Sequence, residues 1–121
     1  MLMRVARSRW GGRVVGWVFA KMSFALPVKR LVETERVMAF EHPSPGWAVH
    51  ILVVPKVAVA GLEALGAERS ALLGEIFAVI EQVVVKLGLE QYRVIVNGGE
   101  YQEVKQLHFH LVAGETLSRA S

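Results

Sequence analysis

The sequence predicts an α+β domain: one mostly antiparallel sheet of about five strands, with two helices lying against it. Three observations carry this expectation. Short apolar runs recur between clusters of Pro, Gly and acidic residues, the pattern of strands bounded by turns. One long stretch, from Glu68 or Arg69 to Leu87, has helical periodicity instead. The order is helix, three strands, helix, two strands, which is not the regular strand–helix alternation of a parallel sheet.

Each element has its own warrant. Residues 1–12 read as a flexible basic tail ending in Gly11-Gly12, and residues 13–121 as a single domain. From Arg13 to about Phe24, Val14, Val15, Val18, Phe19 and Met22 fall on one side of an amphipathic helix that Pro27 closes. Val28–Glu33 and Arg36–Phe40 form a hairpin around the polar Glu33-Thr34-Glu35. Glu41-His42-Pro43-Ser44-Pro45-Gly46 is a loop by its Pro and Gly content. Val49–Val54 is a continuous apolar run ended by Pro55, a buried strand interrupted only by His50. Leu62–Leu65 forms a short turn. In the long helix, Leu72, Leu73, Ile76, Phe77, Ile80, Val83, Val84 and Leu87 make a broad apolar stripe, and Gly88 stops it. Tyr92–Val96 and Leu107–Val112 complete the sheet, with Gly98-Gly99 turning the chain between them.

Composition narrows the function. A chain of 121 residues that is 53% apolar is large enough for a real core and too apolar to be disordered. It has no cysteine, so thiol chemistry, disulfides and zinc–thiolate sites are excluded. No apolar run reaches the roughly 18 residues that span a membrane. The net charge of +3 is uneven: Arg4, Arg7, Arg9, Arg13, Lys21, Lys29 and Arg30 all precede the first acid, Glu33. The basic segment lacks a repeated aromatic partner and reads as a solvated leader rather than a nucleic-acid surface. Val14–Ala20 is too short, and too broken by Gly16, for a good secretory signal, so a cytoplasmic protein is expected.

The chemistry points to the last strand. Gln106, His108 and His110 alternate with Leu107, Phe109 and Leu111, so the polar row shares one face and looks away from the core. Imidazole is a nucleophile, a proton carrier and a metal ligand near neutral pH. His-x-His on a strand therefore has three readings: a wetted polar face, a pair of metal ligands at His108 and His110, or a catalytic site.

Three blocks together resemble the histidine triad superfamily of nucleotide-binding hydrolases and transferases. Phe19-Ala20-Lys21 with Pro27 is similar to its amino-terminal helix. Val37-Met38-Ala39-Phe40, Ser44-Pro45 and His50-Ile51-Leu52-Val53-Val54-Pro55-Lys56 are similar to its central signature. Leu87-Gly88-Leu89, Tyr92-Arg93-Val94-Ile95-Val96-Asn97 and His108-Phe109-His110-Leu111 are similar to its last signature. The resemblance implies a fold of this family, with His108 attacking the α-phosphate of a nucleotide and His110 acting beside it. It implies phosphate contacts from His50, Asn97, Gln102 and Gln106. It places the nucleoside beside Phe19, Met22, Phe40, His42 and Pro43, for which core packing is the alternative. It implies a purine nucleotide or conjugate as ligand, a homodimer, and a mechanism needing neither metal nor other cofactor.

The sequence departs from the family at three places. Gln106 stands where the first motif histidine belongs and cannot titrate. Glu103 replaces a frequent serine. His42 stands where the family uses an acid on the ribose, in a chain with no Asp at all. A nucleotide-binding module without turnover is therefore the alternative to an active enzyme.

Overall fold

The structure, a computed structural model, describes residues 29–117. The expected amino-terminal tail and helix, with Phe19 and Met22, lie outside the described residues. Five strands form one antiparallel sheet: β1 (Arg30–Glu33), β2 (Val37–Glu41), β3 (Trp47–Pro55), β4 (Arg93–Val96) and β5 (Phe109–Thr116), in the spatial order β1-β2-β3-β5-β4. One long helix, α1 (Ser70–Leu87), packs across β1, β2 and β3. This is the predicted α+β architecture.

Local chemistry explains the element ends. The Thr34 N–H donates to the Val37 carbonyl at 2.8 Å and closes the β1–β2 turn. Glu75 of α1 accepts from the Thr34 hydroxyl and, at 2.8 Å, from Arg36 Nε, so the helix grips this turn. The Thr34 hydroxyl bond first, opposed by burial and joined by Arg36, holds the Glu75 carboxyl below the usual carboxylate range. Gly88 terminates α1 at a left-handed φ of 65°, its N–H reaching the Val84 and Val85 carbonyls.

Both faces of the sheet are buried over its centre. One face carries Val37, Ala39, Ile51, Val53, Phe109 and Leu111 and meets Leu72, Ile76, Val79, Ile80 and Val83 of α1. The opposite face carries Met38, Phe40, Leu52 and Val54, joined by Val104. This explains why Val49–Val54 is apolar at nearly every position: successive residues enter two different cores. His50, on the second face, is the exception.

Two expectations are corrected. The last strand begins at Phe109, not Leu107, because the Leu107 N–H bonds to the Val59 carbonyl at 2.7 Å and leaves the β4 ladder. The helical stripe is narrower than its apolar content suggested. Val79 lies in the core, whereas Phe77 is exposed on the flank of the stripe and Leu87 at the carboxy-terminal end of the helix. The buried set 72, 76, 79, 80 and 83 follows the 3.6-residue period, and position 77 falls off it.

This packing sets a paired stability test. Ile76→Ala, at a side chain with no exposure, is expected to cost about 2–5 kcal/mol. Val85→Ala, at a side chain 74% exposed on the same helix, is expected to change stability by roughly 0.5 kcal/mol or less. Urea unfolding midpoints with unchanged slopes measure both.

Candidate functional site

Four histidines gather on the face of the sheet opposite α1, at the end where the β2–β3 loop folds over. Register brings them together. His50 pairs with Val112 across the β3–β5 ladder, and His110 with Leu52, which sets the two rings diagonally on one face. His50 Nε2 and His110 Nδ1 are 2.9 Å apart. The His42 N–H donates to the His50 carbonyl at 2.8 Å at the mouth of the β2–β3 hairpin, so these rings are cross-strand neighbours and stack at 4.3 Å. His108 lies one residue before β5, its ring centroid 5.0 Å from that of His110. Far from being a wetted row, His50 and His108 are buried and His110 is half-buried.

The hydrogen-bond partners fix where each ring carries its hydrogen. The Gly46 backbone N–H donates to His50 Nδ1 at 2.9 Å. His50 therefore holds its hydrogen on Nε2 and donates it to His110 Nδ1. His110 in turn carries its hydrogen on Nε2. His108 Nδ1 faces the Gln106 carbonyl at 2.6 Å, an acceptor only, so this nitrogen is the donor and Nε2 holds the lone pair. One ring is thus set up as a nucleophile and its neighbour as a hydrogen-bond donor.

Electrostatics favour the neutral form of His108 and His110. Burial pushes His108 below its ordinary value, opposed by its bond to Gln106 and by the Glu103 carboxylate. His110 is pushed down to about 3, first by burial and then by the neighbouring rings of His108, His50 and His42.

The other expected residues divide. Asn97 follows β4 and is half-buried, one residue beyond the last β4–β5 pair, Val96 with Phe109. Gln102 is buried, with its amide donating to the Ala60 carbonyl at 2.6 Å. Gln106 is buried too, and its amide, expected beside a phosphate, is held by backbone groups. Its Oε1 accepts the Val59 N–H at 3.2 Å and its Nε2 donates to the Val57 carbonyl at 3.1 Å. Phe40 is buried with Met38, Leu52, Val54 and Val104, the packing alternative raised for it, and Pro43 is exposed in the loop. Two contributors went unnoticed in the sequence: the Gly46 N–H, and Trp47, whose ring meets His50 edge-on at 5.2 Å. Only the loop's closed geometry brings them to the site.

A family model described as the HIT domain matches residues 24–117. An uncharacterised HIT-like protein of Synechococcus elongatus is 36% identical, over 77% of this chain and 84% of its own length. A HIT family hydrolase from Clostridium thermocellum superposes with a TM-score of 0.70 at 33% identity, over 74% of this chain and 81% of that one. A histidine triad nucleotide-binding protein from Candida albicans gives a TM-score of 0.65 at 25% identity, over 79% and 75%.

Gln106→Leu keeps the side-chain volume but leaves the Val59 N–H and the Val57 carbonyl without this partner. It is expected to cost about 1–3 kcal/mol in urea unfolding.

The histidine pKa values set a pH dependence. His110 titrates near 3 in the folded chain and near 6.5 when unfolded, so the unfolded chain binds the proton first as pH falls. Stability is expected to be unaffected by this group above about pH 6.5 and to decline below it, towards 3. Unfolding midpoints between pH 7.5 and 5 should fall in the wild type and fall less in His110→Gln.

Proposed function

Because the chain belongs to the HIT domain family, we propose that it is a nucleotide-binding hydrolase or transferase acting at the α-phosphorus through His108. The observation that carries this reading is the 2.6 Å contact of His108 Nδ1 with the Gln106 carbonyl. It leaves the lone pair on Nε2, the form of imidazole that attacks phosphorus. Burial supports the same reading, because a ring with a lowered pKa keeps that lone pair at neutral pH.

The chemistry follows in two steps. His108 Nε2 forms a bond to the α-phosphorus as the bond to the leaving group breaks, and the leaving group departs with that electron pair and takes up a proton. Water then attacks the nucleotidyl-histidine, the N–P bond breaks, and the electron pair returns to Nε2 as nucleoside monophosphate leaves. His110 Nε2–H donates to a phosphoryl oxygen as charge builds there, and Asn97, the residue after β4, adds an amide donor. Neither step calls on a metal. The substrate class is a purine nucleotide conjugate: a phosphoramidate, an adenylate or a dinucleoside polyphosphate. The hydrolase from C. thermocellum and the nucleotide-binding protein from C. albicans agree with this class.

One observation favours the second reading, a binding module without turnover. The amides of Gln102 and Gln106, both expected at the phosphates, hold backbone groups instead. This leaves fewer side chains for the transition state than the resemblance implied.

A homodimer is part of the proposal. Among the described residues β4 is an edge strand, and Phe77, Leu87 and Val94 expose apolar surface on α1 and β4. A cytoplasmic location is also part of it, and among the described residues no helix is long and apolar enough to cross a membrane.

The enzyme and the binder separate on one paired measurement: hydrolysis of an adenosine phosphoramidate and binding of adenosine monophosphate, in wild type and His108→Asn. The enzyme reading expects turnover to fall by roughly 10³ or more, as for other deleted nucleophiles, with affinity changed only a few-fold. Wild type that binds but turns over no phosphoramidate, adenylate or dinucleotide would establish the binder.

A further inference from the structure

Both ring nitrogens of His50 are engaged. Nδ1 accepts the Gly46 N–H at 2.9 Å, and Nε2 lies 2.9 Å from His110 Nδ1. The ring is also clamped: His42 stacks on it at 4.3 Å, and Trp47 meets it edge-on at 5.2 Å. The peptide groups around it are fastened in turn. The His42 N–H donates to the His50 carbonyl at 2.8 Å, and the Leu117 N–H, just past β5, donates to the Gly46 carbonyl at 2.9 Å.

A neutral imidazole has one hydrogen and two places for it. His110 is neutral near pH 7, because burial first and the neighbouring rings next push it down to about 3. With the hydrogen on Nε2, that atom is a donor to a phosphoryl oxygen. With the hydrogen on Nδ1, Nε2 carries a lone pair that repels the same oxygen. The tautomer therefore decides whether this ring helps or hinders an anion, and a ring's tautomer is set by the bond its other nitrogen makes. Here that bond comes from His50, and the state of His50 comes from a peptide group. The Gly46 N–H can only donate, so His50 Nδ1 is bare, Nε2 holds the hydrogen, and His110 Nδ1 accepts it.

From this geometry we infer that His50 is a positioning residue and not a phosphate contact: it carries the donor polarity of the Gly46 peptide to His110 and so keeps a hydrogen on His110 Nε2. The inference rests on the reading of this face as a phosphate site, where the proposed reaction needs that donor. The resemblance set His50 among the phosphate contacts. Two observations set it one ring further back. Its one hydrogen is spent on His110, which leaves none for an oxyanion. It is also 6% exposed, whereas His110 in front of it is half-buried. Anion recognition at this site is thereby made conditional on the closed loop of residues 42–46. Withdrawing the Gly46 N–H would let His50 hold its hydrogen on either nitrogen and let His110 turn a lone pair towards the phosphate.

Nitrogen-15 NMR of the full chain at neutral pH reads the tautomers directly. Wild type is expected to hold hydrogen on Nε2 of both His50 and His110, and hydrogen on Nδ1 of either ring would overturn the inference. Two variants then separate positioning from contact. His50→Asn is short: its amide reaches the place of ring Nδ1 and offers His110 no donor. His50→Gln is longer, and its amide nitrogen takes the place of ring Nε2 and donates to His110 Nδ1. His110 is expected to show mixed tautomers in His50→Asn and hydrogen on Nε2 in His50→Gln. Turnover of an adenosine phosphoramidate is expected to fall by roughly tenfold or more in His50→Asn, in kcat more than in KM, and His50→Gln is expected to recover most of that loss. Melting curves establish folding, and His50→Ala stands in if the Asn variant misfolds. Two results would overturn the assignment: a His110 that keeps its Nε2 hydrogen in His50→Asn, whether or not activity falls, or Asn and Gln variants that are equally impaired. If wild type shows no turnover, affinity for adenosine monophosphate takes the place of kcat. The expected tautomer pattern without turnover refutes the enzyme reading alone, whereas turnover through His108 with a His110 tautomer indifferent to residue 50 refutes this inference alone.

Discussion

The site depends on how Gln106 is held. Its side chain ties to the Val57 carbonyl and the Val59 N–H, while its own carbonyl accepts from His108 Nδ1. The first contacts decide where the carbonyl points, and the carbonyl decides which nitrogen of His108 holds the lone pair. A non-titrating amide suits this role. It offers a donor and an acceptor at once, and its hydrogen-bonding capacity does not change with pH. Val57 and Val59 belong to the segment after β3, so the strand that carries His50 and the approach to β5 are fastened together beside the chemistry.

The same logic runs through the rest of the cluster. Every histidine whose ring nitrogen has a backbone partner is fixed by a group with one possible role, a carbonyl that accepts or an N–H that donates. His110 has no such partner among the bonds described and inherits its state from His50. The state of each ring is thus dictated by peptide groups, whose protonation does not vary. The Glu103 carboxylate works against the effect of burial on His108 rather than setting its state.

Much of the fold was legible because its signals are local. Period two gave the strands, period 3.6 gave α1, and Gly88 gave its end. His50 stood out as the polar residue in an apolar run, and His108 and His110 by their alternation. The pairing of His42 with His50 follows from the hairpin register once the loop ends are known. The roles of Gln102 and Gln106 were not legible. Which backbone groups they meet depends on the path of residues 57–60, which carries no periodic signal. The narrowness of the stripe on α1 was hidden for a related reason: an apolar residue at position 77 or 87 looks the same in sequence whether the core reaches it or not.

The strand order has a consequence for how the protein is made. His50 and His110 touch across 60 residues of sequence, through the β3–β5 ladder at the centre of the sheet. The hairpin of β1 and β2 and the helix α1 involve close neighbours and can form early. The histidine pair cannot, because closing so long a loop is entropically costly until β5 arrives to reward it. During synthesis, a ribosome-bound chain that has not yet released residue 110 can pair β1, β2 and β3 and form α1, but it has no relay between the two rings. The site is therefore assembled by the last long-range event of folding, which ties the appearance of chemistry to completion of the whole domain.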